Sequence, residues 1–261
     1  MAASKATKPA TKKPGTAVVP KKATGTALVN MKDAITKELA ELQDRVGAPG
    51  GDVIYITQDK QFKLPDGTEI PAPLKSVIVD FVTHRFYYDR DFDPKTPCPP
   101  ACFAISVTPK GMVPNKASPD VQSKTCDGCP MNEYGSATKG DGKACKEMRA
   151  LAILPDDADV NTEINVVKTS PTALKPFDSY VTSIARTVAK APWQIITDIG
   201  FDDNLKYPSL RFTNPQPADD DLVAAAFSQR EKARARLLAP PDVSNYQPYV
   251  AKGKPAKSAR K

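Results

Sequence analysis

The chain has 261 residues, of which 40% are hydrophobic and 26% are charged, so it is long enough to bury one large core or two small ones. No apolar run reaches the roughly 18–20 residues that cross a bilayer, and the lysine-containing start lacks the apolar stretch of a secretory signal. These features exclude a mini-protein and predict a soluble intracellular protein. Because thiols inside cells stay reduced, the five cysteines are not expected to form disulfides.

The net charge of +7 is concentrated in the two tails. Residues 1–27 contain six lysines, residues 252–261 contain four lysines and one arginine, and neither segment has an acidic residue. The remaining 26 basic residues face 30 acidic ones, so the body of the chain is near −4. Basic tails favour a polyanionic partner, most often nucleic acid, because binding releases condensed counterions. Tails that only keep the protein soluble are the alternative.

Hydrophobic periodicity predicts the secondary structure in chain order. The first 27 residues have almost nothing to bury and should be disordered, and three- and four-residue spacing of apolar residues then predicts a helix over 28–47. Residues 89–150 hold every cysteine and many prolines and glycines, which is typical of a loop-rich module that needs a cross-link. Strands are expected at 53–57, 61–64, 74–88, 149–154, 162–168, 193–199 and 209–212, and helices at 174–190 and 219–238.

The cysteines follow the pattern C-x3-C-x23-C-x2-C-x15-C. Two residues between Cys126 and Cys129 allow a tight turn to bring both sulfurs onto one ion, and Gly128 supplies the backbone dihedral that the turn needs. Cys145 and one cysteine of the 98/102 pair would complete a tetrahedron. Four thiolates fill the coordination sphere of Zn²⁺ and mark a structural site, while an iron–sulfur cluster and unliganded buried thiols are the alternatives.

Five short motifs lie around these cysteines and beyond them, namely CFAIS at 102–106, CDGCPMN at 126–132, YGSA at 134–137, GKACK at 142–146 and YPSLRF at 207–212. They resemble a zinc-bearing module of tailed-bacteriophage single-stranded DNA-binding proteins, in which a four-cysteine zinc site is inserted in an OB-like fold. The resemblance covers roughly residues 50–215. It implies Cys102, Cys126, Cys129 and Cys145 as metal ligands and leaves Cys98 spare. Such phage proteins commonly end in an acidic tail that recruits partners, whereas this chain ends in a basic one.

Single-strand binding needs aromatic faces for base stacking beside cations that contact the phosphates. The segment 81–90 concentrates both, and Phe62 lies between two lysines on another strand. Alternation places the side chains of segment 81–90 on two faces, of which one is expected to be core and the other surface. Core packing is the alternative for each aromatic residue. The candidate nucleic-acid-binding residues are Lys60, Phe62, Lys63, Phe81, Arg85, Tyr87 and Tyr88.

Motifs of catalysis are scarce in this sequence. It has no phosphate-binding loop, nucleophile elbow or H-E-x-x-H motif, and the single histidine, His84, excludes histidine-paired sites. Asp89, Asp91 and Asp93 alternate at the end of a predicted strand and could share a Mg²⁺ ion, although a solvated turn explains them better. We therefore predict that the protein is not an enzyme.

Taken together, these patterns predict a mainly β (α+β) protein with an OB-fold-like β-barrel and peripheral helices. The expected function is sequence-tolerant binding of single-stranded DNA in phage-type replication or recombination, with structural Zn²⁺ and replication or recombination proteins as further partners, in the cytoplasm of an infected host cell. Alternatives are a metal-dependent nuclease or Fe–S DNA-repair enzyme, and a zinc-stabilised protein–protein adaptor with nucleic-acid-binding tails. The predicted segments are a basic tail (1–27), a helix (28–47), the OB-like domain (48–215) with its zinc-binding insertion (98–150), a helix (216–240) and a second basic tail (241–261).

Overall fold

A computed structural model describes residues 52–91, 93 and 96–249, together with Ala34 and Glu38, both of which are helical. The chain divides into two units, Met1–Pro49 and Gly50–Lys261, and the sheet and its two helices belong to the second. Apart from Ala34 and Glu38, the predicted N-terminal helix lies outside the described residues. The two basic tails also lie outside the described residues, the first at positions 1–27 and the second from position 250 onward.

Nine strands form one sheet, and two helices pack on it. The strand order is β3-β2-β1-β7-β6-β4-β8-β9, with β5 pairing the end of β4, and β1 with β7 is the only parallel pair among the described strands. The strands are β1 (Val53–Ile56), β2 (Gln61–Lys63), β3 (Glu69–Pro71), β4 (Leu74–Tyr87), β5 (Cys102–Ser106), β6 (Lys146–Pro155), β7 (Asn165–Lys168), β8 (Ile195–Phe201) and β9 (Leu210–Pro217). The helices are α1 (Leu174–Thr187) and α2 (Asp220–Leu238).

The sheet curls into an open half-barrel. Four strands separate β2 from β8 in the sheet order, yet the ring of Phe62 on β2 stacks on Phe201 at the end of β8, with centroids 4.9 Å apart. The Lys60 ammonium also donates to the Asp202 carbonyl at 2.9 Å. The right-handed twist of strands favours such coiling. Within the described residues, the outer strands β3 and β9 do not pair with each other, so the sheet remains open.

A helix covers each face of the sheet. On one face, Phe177, Tyr180 and Ile184 of α1 pack into an apolar cluster with residues of seven strands. On the other face, small residues of α2, such as Ala226 and Ala233, let that helix approach β4 and β6 closely. The central strand β4 is consequently buried on both faces along most of its length.

Local sequence explains where α2 begins. The Asp219 side chain accepts a hydrogen bond from the Leu222 amide at 2.8 Å, which satisfies one of the free donors of the first turn. Asp220 and Asp221 add negative charge at this positive end of the helix dipole. The helix therefore starts one residue after the predicted position of 219 and ends at the predicted one, Leu238.

The predicted fold class is confirmed in its coarse form, a mainly β protein with a curled sheet and two helices. All seven predicted strands occur, although the one expected from 193 starts as a 3-10 turn and becomes a strand at Ile195. Two strands were missed, namely β3 and β5, the second of which lies in the region predicted as loops. No helix in the described part of the chain has the length and apolar character needed to cross a membrane.

Candidate metal centre and adjoining cleft

A tight turn joins Cys126 to Cys129. The Cys129 amide donates to the Cys126 carbonyl at 3.4 Å, and Gly128 has φ +77°, the left-handed conformation that the sequence predicted for this glycine. The Cys126 amide donates to the Met112 carbonyl at 2.9 Å, and the Asn132 side-chain amide donates to the Cys126 carbonyl at 3.0 Å. These bonds fix the turn from both sides.

Four of the five cysteines line one small cavity of about 20 Å³. Cys102 begins β5, Cys126 and Cys129 belong to the turn, and Cys145 directly precedes β6. The Cys145 amide donates to the Met131 carbonyl at 2.7 Å, which brings the third segment to the turn. Such a volume holds a single small occupant, because one water molecule needs about 10–15 Å³ on this measure.

Cys98 lies apart from this group. It lines a different and larger cavity, and its thiol donates weakly to the Pro99 carbonyl at 3.3 Å. The structure thus brings together the same four cysteines that the resemblance implied as ligands, and it leaves out the one implied as spare.

The donor set of the small cavity fits a soft divalent cation. Burial, and then the charges of the other three cysteines, raises the pKa of Cys145 to about 12, so this thiol needs a positive charge beside it to ionise. Zn²⁺ supplies that charge and prefers four sulfurs. Within the part of the chain that the structure describes, no three His, Cys, Asp or Glu side chains already stand in ligating positions. Metal binding would therefore require a rearrangement of the thiols.

Arg85 lines the cavity of the cysteines and is buried. Its side chain is only 9% exposed, its Nε donates to Glu147 at 3.0 Å, and one terminal nitrogen donates to Asp127 at 3.3 Å. Burial raises the pKa of Cys126, and the nearby Arg85 guanidinium partly offsets that rise. Because a zinc site with four thiolates carries net negative charge, a buried guanidinium beside it is electrostatically suitable. Arg85 is therefore removed from the predicted nucleic-acid-binding residues.

The ion pairs continue from Arg85 across the sheet. The second oxygen of Glu147 accepts from Arg149 at 3.1 Å, and the other end of the Arg149 guanidinium donates to Asp178 on α1 at 3.0 Å. Both arginines are buried, so each depends on its carboxylate partners. This chain of charges ties the cysteine-bearing loops to the helix layer.

A cleft of about 490 Å³ is lined in part by residues 98–150, which we name the cysteine module. The end of β4 and the residues after it form one wall, and residues 131–146 of the module form the other. Tyr88 is 42% exposed and Tyr87 is half-buried, so both rings are at least partly accessible. The cations along the cleft are Arg90, Lys139 and Lys146.

The carboxylates of the cleft are engaged by the protein itself. Asp89 accepts hydrogen bonds from the Tyr246 hydroxyl at 2.9 Å and the Tyr249 amide at 2.8 Å, and Arg90 pairs with it as well. Burial alone would raise the pKa of Asp89, but these donors lower it below its ordinary value. Asp91 accepts from Lys139 at 2.7 Å. These partners favour a structural role over a shared Mg²⁺ ion.

The chain after α2 runs back to this cleft. Residues 239–249, which we name the C-terminal strap, reach Asp89 through Tyr246 and Tyr249, and Arg90 also donates to the Gln247 carbonyl. The Arg90 guanidinium lies 5.6 Å from the centre of the Tyr249 ring. The described chain therefore continues past the predicted boundary at 240 and contacts residues that line the cleft.

Burial removes two further candidates from the predicted interface. Phe62 is 0% exposed in the core, and the ring of Phe81 packs edge-on against Phe177 at 5.0 Å. The prediction that one face of segment 81–90 is surface is wrong for most of it, because α1, α2, β5 and the cysteine-bearing loops bury its side chains. Lys60 and Lys63 lie on or beside β2, four strands away from β4 in the sheet order, so they do not join Tyr87 and Tyr88.

An exposed aromatic residue on the cysteine module was not predicted. Tyr134 is 82% exposed, and the Lys143 ammonium lies 5.0 Å from the centre of its ring. Lys143 is held there by a bond of 3.2 Å to the Asn132 side-chain oxygen. A tyrosine in a glycine-rich loop, far from any apolar periodicity, was the available signal.

Comparison with known protein families, with curated proteins and with solved structures found no match. The geometry of the four cysteines and of the adjoining cleft therefore carries the functional argument.

Proposed function

We propose that the protein binds single-stranded DNA with little sequence preference and without catalysis, in phage-type replication or recombination. The observation that carries this proposal is the cleft between the end of β4 and the cysteine module. It combines accessible tyrosine rings with the cations Arg90, Lys139 and Lys146, which is the combination that stacks bases and contacts phosphates. The curled, open sheet is compatible with an OB-like platform for such a strand.

In this proposal, Zn²⁺ has a structural role. Cys102, Cys126, Cys129 and Cys145 would hold it, and a bound ion supplies the charge that lets four buried thiolates coexist. These residues fix one end of the loop that forms the module wall of the cleft. Within the same loop, the Ser136 hydroxyl donates to the Glu133 carbonyl and accepts from the Ala144 amide, and these two bonds hold the loop together.

The absence of catalysis is part of the proposal and draws support from the carboxylates. Asp89 accepts three donors from the chain, and Asp91 pairs with Lys139, so both carboxylates already have partners within the protein. A nuclease site would need at least two such carboxylates open to Mg²⁺.

The proposal is tested by measuring the affinity of the protein for a labelled single-stranded oligonucleotide and for the matching duplex. The intact protein should prefer the single strand, and Tyr88→Ala should weaken that binding by ~1–3 kcal/mol, the usual contribution of a stacked base. Tyr55→Ala is the matched control, because Tyr55 is also exposed but lies on β1. Equal affinity for both forms of DNA, or equal effects of the two substitutions, would contradict the proposal.

A further inference from the structure

A second cavity, of about 240 Å³, lies where the C-terminal end of α2 meets the sheet. His84 and Phe86 of β4, Lys168 of β7 and Arg236 of α2 line it, and Pro240 of the strap closes one side. It is smaller than the about 300–1,000 Å³ of pockets that enclose whole drug-sized ligands. A small ligand or a single charged group therefore suits its size.

Of the two cationic side chains in this cavity, Lys168 has no acidic partner among the described residues. Arg236 is paired with Asp52 at 2.6 Å, whereas the strongest charge acting on Lys168 is the like charge of Arg236. The residue is exposed as a whole, but burial of its ammonium group lowers the pKa of Lys168. The ammonium lies 5.6 Å from the centre of the Phe86 ring. The remaining acid of the lining, Asp242, accepts from the Ser244 amide in its own turn.

His84 adds an unused polar atom. The residue is 5% exposed, and its Nε2 donates to the Leu237 carbonyl at 2.9 Å, which leaves Nδ1 as a buried acceptor with no partner in the part of the chain that the structure describes. Burial, and to a lesser extent Lys168, lowers the pKa of His84 to about 4, although the bond to Leu237 acts in the opposite direction. An orphaned ring nitrogen beside a cation that lacks a carboxylate partner is costly unless something binds there.

We propose that this cavity is an anion site for a phosphate group, held by Lys168, with Arg236 and a protonated His84 completing the positive lining. A phosphate would offset the repulsion between the two cationic side chains, and its oxygen could accept from Nδ1 once the ring is protonated. The shared chemistry fits either free phosphate or one phosphodiester of a nucleic acid. The site goes beyond the single-strand cleft and does not depend on it.

The single histidine makes the experiment specific, because only one ring signal titrates in the NMR spectrum of the full-length protein. Inorganic phosphate, compared with chloride at equal ionic strength, should raise the titration midpoint of His84 by about one pH unit or more, since an opposite charge within about 4–6 Å shifts a pKa by this order. At pH 7, phosphate should also shift the signal in a saturable manner. Identical curves in phosphate and chloride would overturn the proposal.

Two variants and a second ligand complete the test. Lys168→Gln should abolish the response to phosphate, whereas Lys75→Gln, an exposed lysine on the same sheet, should retain it. An unchanged response in Lys168→Gln would also overturn the proposal. A single-stranded oligonucleotide that produces the same shift, and competes with phosphate, identifies the ligand as a nucleic-acid phosphodiester. A response to phosphate alone identifies it as a free phosphate ion, and this result leaves the single-strand proposal for the cleft untouched.

Discussion

The sheet and the cysteine module are stabilised in different ways. Each face of the sheet carries a cluster of fourteen buried residues, whereas the module has a cluster of only three, Ala104, Met112 and Cys126. Apolar burial contributes about 25 cal/mol per Å², so it can hold the sheet but not a loop-rich segment of this kind. The module depends instead on backbone turns, on the ion pairs of Arg85, and in our proposal on a metal. The two regions should therefore fail under different treatments.

The largest expected effect is loss of the metal from the module. We expect the purified protein to contain about one zinc ion per chain, and Cys126→Ser to lose it, because structural zinc binds with about 10–16 kcal/mol in small peptides. The far-ultraviolet circular dichroism of the sheet should change little. Elemental analysis measures the metal, and Cys98→Ser is the matched control because that thiol lies outside the cavity. Full retention of zinc in Cys126→Ser would mean that the ligand set is wrong.

A substitution in the core of the sheet should destabilise the fold without changing how much zinc the folded protein binds. Phe177 is fully buried between the rings of Phe81 and Phe212, so Phe177→Ala should lower the free energy of unfolding by about 3–5 kcal/mol. Zinc content per folded chain should stay the same. Urea denaturation gives the first quantity, and Phe227→Ala, at an exposed position on α2, should cost far less. Equal losses for the two phenylalanines would show that the cluster around Phe177 is not the core.

The sequence predicted best the features that depend on neighbouring residues. The start of α2 one residue after the predicted Asp219 and the left-handed turn at Gly128 both follow from local chemistry, and the sequence predicted both closely. Phe62 and Arg85 were misplaced because their burial depends on segments that reach them from distant parts of the chain. Alternation along a strand shows which side chains share a face, but it does not show whether other parts of the protein cover one face or both.

In the cleft, too, the sequence predicted residues that are close together in the chain but not those that the fold brings to them. Tyr87 and Tyr88 were predicted from aromatic and basic residues close together in sequence, and the structure places both in the cleft. The opposite wall could not be predicted, since Lys139 and Lys146 reach it only through the fold of a loop without periodicity. The strap was missed for a similar reason, because its attachment to Asp89 joins residues 157 and 160 positions apart.

Acid should weaken the sheet through His84. Its folded pKa of about 4 lies below the unfolded value of 6.5, so between these values the unfolded chain binds the proton and the folded chain does not. Stability is therefore highest above pH 6.5 and falls by roughly 2–3 kcal/mol as the pH drops to about 4. Denaturation at several pH values in phosphate-free buffer measures this slope. His84→Gln should flatten it in this window, and a slope unchanged by the substitution would assign it to other groups.

The cleft and the module surface outside its lining can be compared by removing one exposed aromatic ring from each. If a strand continues from the cleft onto the module surface, Tyr134→Ala should weaken single-strand binding by ~1–3 kcal/mol, as we expect for Tyr88→Ala. Tyr207→Ala is the control, because that tyrosine is exposed and belongs neither to the cleft lining nor to the module. A normal affinity in Tyr134→Ala would confine the bases to the cleft.

The smallest expected effect separates the cleft from the charged tail that follows the strap. Residues 252–261 carry five positive charges, so their removal should weaken binding and make the dependence of log K on log salt shallower, by up to ~0.7 for each phosphate that the tail neutralises. The preference for single strands over duplex should remain, because base stacking does not require the tail. Affinities of the shortened protein for both forms at two salt concentrations measure these quantities. If the shortened protein bound both forms alike, recognition would lie in the tail, and the surface shared by the sheet and the module would be a scaffold for it.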